Sequence, residues 1–291
     1  MDNPKIGLVT VLYNGEKVVE DFFYSLNTQV YKNFVLYVID NKSTDDCLNK
    51  SRLLSKNCFF ETKFIPNDGN YGVAKGNNQG IIAALQDGCD YVLLCNNDIV
   101  LKEDTIKVLV DAMIPDEINL VVPKIYFYDS KRLWFAGGKF KKIPGSIQHK
   151  GYGEIDIGRY NKQKIIDYAP TCFMMIKKEV FFNTGIMDEK YFVYFDDTDF
   201  IYRAVHKNGN TLLYCPNTSI EHKESYSTGG VKSDFGLKYY YRNKVYFIKK
   251  HFKNYKFFYF INRCFFILKK PIIGKDLYSK IKASLVSGLK M

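Results

Sequence analysis

The feature that most restricts the fold is a recurring one: short apolar runs that each stop at a cluster of Asn and Asp. Residues 6–12 run into Tyr13-Asn14, residues 34–39 into Asp40–Asp45, and residues 91–95 into Asn96-Asn97-Asp98. Between them, residues 16–29 place Val18, Val19, Phe22, Phe23 and Leu26 at helical spacing, and residues 77–85 read as a second helix. Residues 59–65 read as a third strand, followed by a Gly/Asn-rich loop. Strands that alternate with helices need crossovers, which predicts an α/β fold with a mostly parallel sheet flanked by helices. Ligands in such sheets bind beyond the carboxyl ends of the strands. The polar clusters therefore place the chemistry at that edge. From about residue 121 the pattern is mixed, with hairpins through 133–143, a strand at 171–176, a helix at 196–207 and a strand at 211–215.

Six segments, in order, carry a resemblance. Thr10–Asn14, Val38–Asp45 and Asn67–Gly80 look like the donor-binding half of family 2 glycosyltransferases, and Leu93–Asp98 resembles their metal motif. Tyr194–Arg203 and the stretch from Pro216 to Glu221-His222 resemble their acceptor half. The match runs over roughly residues 5–230 and is nearest the rhamnosyl- and galactofuranosyltransferase-like branch. It implies a GT-A fold and transfer of rhamnose, galactofuranose or a related hexose with inversion at the anomeric carbon. The donor would be a nucleotide-diphosphate sugar, and the acceptor a glycan or a lipid-linked hydroxyl of bacterial surface polysaccharide synthesis, such as O-antigen or capsule.

The resemblance assigns donor binding to Thr10, Tyr13, Asn14, Asp40, Asn70, Lys75, Asn78 and Asn97. Asp40, at a strand end, can accept hydrogen bonds from a base or ribose; the alternative is a turn residue capping the next helix, the role expected of Asp45. The glycines of 69–80 allow backbone to approach a ligand, or simply form turns; no strand–GxGxxG–helix layout is present. Asp98 is the expected ligand of Mg2+ or Mn2+, hard ions that take carboxylate oxygens and donor phosphates. Asn96 stands in the same metal motif where relatives often carry an acid, leaving one carboxylate fewer. His222 matches the position from which some relatives supply an imidazole ligand, although a lone His is commonly a surface or core residue.

Asp196, Asp197 and Asp199 open a helix, where acids also suit the helix dipole. Asp196, Asp199 and Arg203 fall on one face, where Arg203 can neutralise its neighbours. Asp197 points about 100° away from Asp196. It is expected to be free to take a proton from the acceptor, and it matches the family's base position; Asp196 is the second candidate.

Charge divides the chain. From Lys238 onward there are fourteen Lys or Arg and one acid, a net +13, so residues 1–237 carry −2 of the total +11. A near-neutral body excludes a generally basic, nucleic-acid-binding surface. Aromatic residues interleave with Lys and Arg through 239–252 and 255–268, which suits a helix lying on an anionic membrane, or a packed helix whose lysines snorkel. The expected organisation is a GT-A domain over 1–235, with a donor half to about 120 and an acceptor half from about 121, followed by a helical basic and aromatic tail over 236–291. The seven cysteines form no CxxC pair and read as buried thiols of a reducing compartment. With no signal peptide and no uncharged run near the ~18 residues of a spanning helix, the expected location is cytoplasmic, peripheral on the inner face of the membrane. The rival readings are a sugar-phosphate nucleotidyltransferase and a non-catalytic sugar-nucleotide or glycan-binding module. The first would normally carry a Gly-rich loop after the first strand, which Tyr13-Asn14-Gly15-Glu16 lacks.

Overall fold

The computed structural model describes residues 3–223 and 233–291. The N-terminal part runs β1 (Ile6–Leu12), α1 (Val19–Asn27), β2 (Phe34–Asp40), α2 (Cys47–Ser55), β3 (Glu61–Pro66), α3 (Gly72–Gln86), β4 (Tyr91–Cys95), β5 (Ile99–Leu101) and α4 (Thr105–Ala112). Then follow β6 (Ile118–Phe127), β7 (Leu133–Phe135), β8 (Gly138–Phe140), β9 (Ile147–His149), β10 (Lys164–Ile166), β11 (Phe173–Lys177), α5 (Lys178–Thr184), α6 (Asp196–Ile201) and β12 (Thr211–His222). Three helices close the chain: α7 (Asp234–His251), α8 (Tyr255–Ile273) and α9 (Lys275–Lys290).

The main path of the sheet is β10-β12-β6-β11-β4-β1-β2-β3, with β5 on β12 and β7 on β6. Its N-terminal part, β4-β1-β2-β3, is parallel. That is why β1 and β2 are nearly continuous apolar runs, since helices cover both faces. β11 inserts antiparallel between β4 and β6. Two pairings place polar residues. Cys95 of β4 pairs with Phe173, bringing the Asn96 amide to the Cys172 carbonyl at 2.8 Å. His222 of β12 pairs with Ile99 of β5, which brings it beside Asp98.

Helix α3 begins at Gly72 rather than near residue 77, so much of the expected glycine loop is helix. Gly76 and Gly80 serve packing: a Cβ on Gly76 would stand 2.8 Å from Val11 Cγ1, and one on Gly80 2.3 Å from Val9 Cγ1. Their small size lets α3 lie against β1. The helix expected over 196–207 is α at its start and becomes a π-helical turn at Tyr202–Lys207. The seven cysteines are free thiols.

The C-terminal helices do more than hang from the body. Tyr246, Phe247 and Ile248 of α7 form one apolar cluster with Tyr191 and Phe195, beside the acid-rich helix α6. On its other side, Val245 packs with Phe266 of α8 and with Ile281 and Leu285 of α9. Among the described residues no helix is long and apolar enough to cross a membrane.

Candidate active site

A crevice enclosing about 130 Å³ opens beyond the carboxyl ends of β1 and β4. Val11, Tyr13 and Asn41 line it from β1 and β2, Asn70, Gly72 and Asn77 from the start of α3, and Asn96, Asn97 and Asp98 from the turn after β4. Phe192, Val193 and Phe235 form the remaining wall. The strand-end position follows from the parallel pairing, which leaves the β1, β2 and β4 turns side by side.

The expected donor residues divide. Tyr13, Asn70 and Asn97 line the crevice. Asn14, at φ 54, accepts hydrogen bonds from the Thr44 amide at 2.8 Å and the Thr44 hydroxyl at 3.1 Å, so it ties the β1 turn to the β2 turn. Asp40 accepts from the Ser43 hydroxyl at 2.6 Å, the turn geometry that was its alternative reading. Asp45 accepts from the Cys47 amide at 3.2 Å at the start of α2. Asn70 also accepts from the Gly72 amide at 3.0 Å and so orders the first turn of α3.

Three donor assignments meet a different geometry. Asn78 is 1% exposed, and its amide is taken up by Met187 and Glu189, with donor–acceptor distances of 2.9 to 3.0 Å. It fastens the 187–189 segment to α3, and Asn77 is the residue that reaches the crevice. Thr10 alternates with Val9 and Val11, which face α3, and its buried hydroxyl has no partner among the described residues. Lys75 lies 4.2 Å over the Tyr71 ring and is not among the lining residues.

Asp98 and His222 face each other, Oδ1 to Nε2, at 3.3 Å. Asp98 Oδ1 and His222 Nδ1 are buried atoms without hydrogen-bond partners among the described residues. An unpaired buried acceptor beside an imidazole is the donor chemistry a divalent cation satisfies. Among the described residues no three His, Cys, Asp or Glu side chains gather as a cation site. The fit is therefore a two-residue set that leaves coordination open to phosphate oxygens.

The acid cluster corrects the helical-wheel expectation. Arg203 pairs with Asp199 at 2.8 Å and donates to the carbonyls of Thr184 and Ile186; it does not reach Asp196. Asp197 is not left free either. It accepts from the Tyr168 hydroxyl at 2.9 Å and from the Thr198 amide and hydroxyl at 2.6 and 3.0 Å. Burial raises the pKa of both Asp196 and Asp197, and the charge of Asp197 raises that of Asp196 further. The hydrogen bonds from Tyr168 and Thr198 favour the ionised form of Asp197, so a proton shared by the pair belongs on Asp196. For Asp199, burial also pushes the pKa up, but the His251 hydrogen bond and the charges of Arg203 and Lys250 outweigh it and hold the carboxyl at about 2.

Burial holds the Cys172 thiol well above its usual range. Rings run from the Asp98–His222 pair to the Asp197–Tyr168 pair: His222 to Trp134 at 4.8 Å, Trp134 to His149 at 5.1 Å, and His149 to Tyr168 at 5.8 Å. Burial pulls His149 down to about 4, which keeps it neutral near pH 7. Sequence reasoning missed Trp134, His149 and Tyr168. They lie on short strands or loops of the mixed region, and pattern alone does not show that the hairpins fold back over the site.

The sheet order, the strand-end crevice and the paired carboxylates define a nucleotide-diphospho-sugar transferase fold of the GT-A type. The same fold is found in the mannosyltransferase PcManGT from Pyrobaculum calidifontis, solved in complex with GDP-Man and Mn2+; the TM-score is 0.60 at 13% identity, covering 99% of this chain and 75% of that one. Residues 8–182, more than half of the chain, match glycosyl transferase family 2, and the chain belongs to that family. It is 24% identical over 209 residues to the low-salt glycan biosynthesis hexosyltransferase Agl10 of Haloferax volcanii, across 70% of this chain and 63% of that protein. It is also 24% identical over 182 residues to the glycosyltransferase GlyG of Streptococcus pneumoniae serotype 4, across 60% of this chain and 58% of that protein. The chain thus spans less than two thirds of the length of these curated relatives.

Proposed function

We propose that this chain is an inverting hexosyltransferase that moves a sugar from a nucleotide-diphosphate donor to a hydroxyl of a glycan or lipid-linked acceptor in surface-glycan synthesis. The observation that carries the reading is the strand-end crevice that Asp98 lines, linked from His222 through the rings of Trp134, His149 and Tyr168 to Asp197. Family membership, a hexosyltransferase relative and a fold neighbour bound to GDP-Man and Mn2+ support it.

Tyr13, Asn41, Asn70, Asn77 and Asn97 present polar groups along the crevice and would hold the donor's nucleotide. Asp98 and His222, with Asn96 alongside, would hold Mg2+ or Mn2+; a bound cation supplies stabilisation of negative charge on the departing diphosphate. Asp197, ionised and oriented by Tyr168 and Thr198, takes the acceptor's hydroxyl proton. The acceptor oxygen forms its bond to the anomeric carbon as the bond to the diphosphate oxygen breaks, and the leaving nucleoside diphosphate keeps the electron pair. One displacement inverts the centre. Asp196 stays protonated and spares the pocket a second negative charge.

In Asp197→Asn, nucleoside-diphosphate release in the presence of acceptor should fall ~10²–10⁴-fold while donor binding by calorimetry is unchanged. Full activity in that variant overturns the assignment. A panel of UDP-, GDP- and dTDP-hexoses, read out by nucleoside-diphosphate release, would identify the donor.

A further inference from the structure

Tyr194 and Phe195, directly before the acid pair, both stand in the left-handed region, at φ 62 and 67. Large side chains avoid that region, and two in succession persist only where the surroundings hold them there. The holding group is on α7. Asn243 is 0% exposed, and its Nδ2 donates to the carbonyls of both Val193 and Tyr194, each at 2.8 Å. Its Oδ1 accepts from Arg242 Nε at 2.8 Å, and Arg242 donates in turn to the Lys190 carbonyl at 3.1 Å. One turn on, Tyr246 and Lys250 reach Asp188 at 2.9 and 2.7 Å. Lys250 and His251 also reach Asp199.

We propose that Asn243 is a positioning residue for sugar transfer: it clamps the strained 193–195 turn and so sets the direction in which Asp196 and Asp197 leave it. The role rests on the reading of Asp197 as the base. A side chain here must donate two hydrogen bonds from one short, neutral group. Asp presents only acceptors to the two carbonyls, and Ala leaves both unpaired. Asn243 itself contacts backbone and Arg242, so its influence on the reaction runs through the turn. The terminal helices therefore include a part of the catalytic apparatus.

The test uses the full chain with the nucleotide hexose that the wild type turns over. Asn243→Ala and Asn243→Asp should lower kcat roughly 10–100-fold and change the donor KM by less than that, because the clamped turn carries the base whereas Val193 supplies only part of one crevice wall. Glycine adopts positive φ without strain, so Asn243→Ala should cost kcat less in a Tyr194→Gly background than in the wild type. Amide exchange across residues 191–197, measured by mass spectrometry, should quicken in Asn243→Ala. That last readout needs no turnover. If the wild type transfers no sugar, the function reading fails while the clamp is still tested; if Asn243→Ala does not fold, Asn243→Asp answers the same question by exchange. An unchanged kcat, an equal penalty in both backgrounds, or unchanged exchange across the turn would overturn the clamp.

Discussion

Two adjacent buried carboxyls cannot both ionise without mutual repulsion, and that fact governs Asp196 and Asp197. Both have raised pKa values, from burial and, for Asp196, from the neighbouring charge. A carboxyl whose folded pKa exceeds its unfolded one binds its proton more tightly when folded. The folded chain therefore holds more protons than the unfolded chain at pH values between the two, and stability falls as pH rises through that window. Asp196→Asn, a neutral isostere, should remove that loss. Its melting temperature should exceed that of the wild type at pH 8, with the gap narrowing towards pH 5, as read by calorimetry at both pH values. Asp199 has the opposite character, since Arg203 and Lys250 pair with it and His251 hydrogen-bonds to it. The three neighbouring acids of α6 thus divide into a strained pair and a structural anchor.

At the scale of elements, the site depends on how closely α3 approaches β1. Gly80 allows the helix to sit where a methyl group would meet Val9 Cγ1 at 2.3 Å. Gly72, at φ +82, lies where a Cβ would meet the Phe192 carbonyl oxygen at the same distance, and the Val73 amide donates to that carbonyl at 2.8 Å. These contacts bring the start of α3 to the crevice wall that Phe192 forms. Gly80→Ala should lower stability by about 1–3 kcal/mol in urea unfolding, the usual cost of overpacking, because backbone and two β-branched side chains must shift. β12 acts over a longer range. Its pairing with β5 carries His222 to Asp98, and a register shift between Cys215 and Ser219 bends the strand on the way.

For the molecule as a whole, the basic C-terminal segment has two faces. The inner one packs through α7 onto the acid-bearing turn. On α8, Phe257, Phe260, Phe265 and Leu268 are exposed, Leu268 at 78%. Exposed aromatic and aliphatic side chains among Lys and Arg suit the interface of an anionic bilayer, where each buried side chain contributes about 1.5–3 kcal/mol and each cation about 1 kcal/mol. Joint replacement F260E and L268E should abolish co-sedimentation with vesicles containing phosphatidylglycerol while leaving the melting temperature and transfer to a soluble acceptor near wild type. Equal pelleting of variant and wild type would exclude this face of α8 as a membrane contact.

The sequence by itself determined three of the parallel strands: apolar runs at 6–12, 34–39 and 91–95 became β1, β2 and β4 within a residue or so, and the polar clusters after them came together at one edge. This was legible because strand periodicity, turn residues and strand-end chemistry are local. Asp98 and His222 were also legible as a pair through their motif positions, and their 3.3 Å approach agrees. Other features were decided only in three dimensions. Asn78, Thr10 and Lys75 stand in the same motifs as crevice residues yet do not line it, Asn78 being held by Met187 and Glu189 and Lys75 lying over Tyr71. Tyr168 gained its place beside Asp197, and Asn243 its hold on the turn, from segments 29 and 49 or more residues away in the chain. Hydrogen bonds of that reach depend on how the mixed strands and α7 pack, and no local pattern of polar and apolar residues encodes that packing.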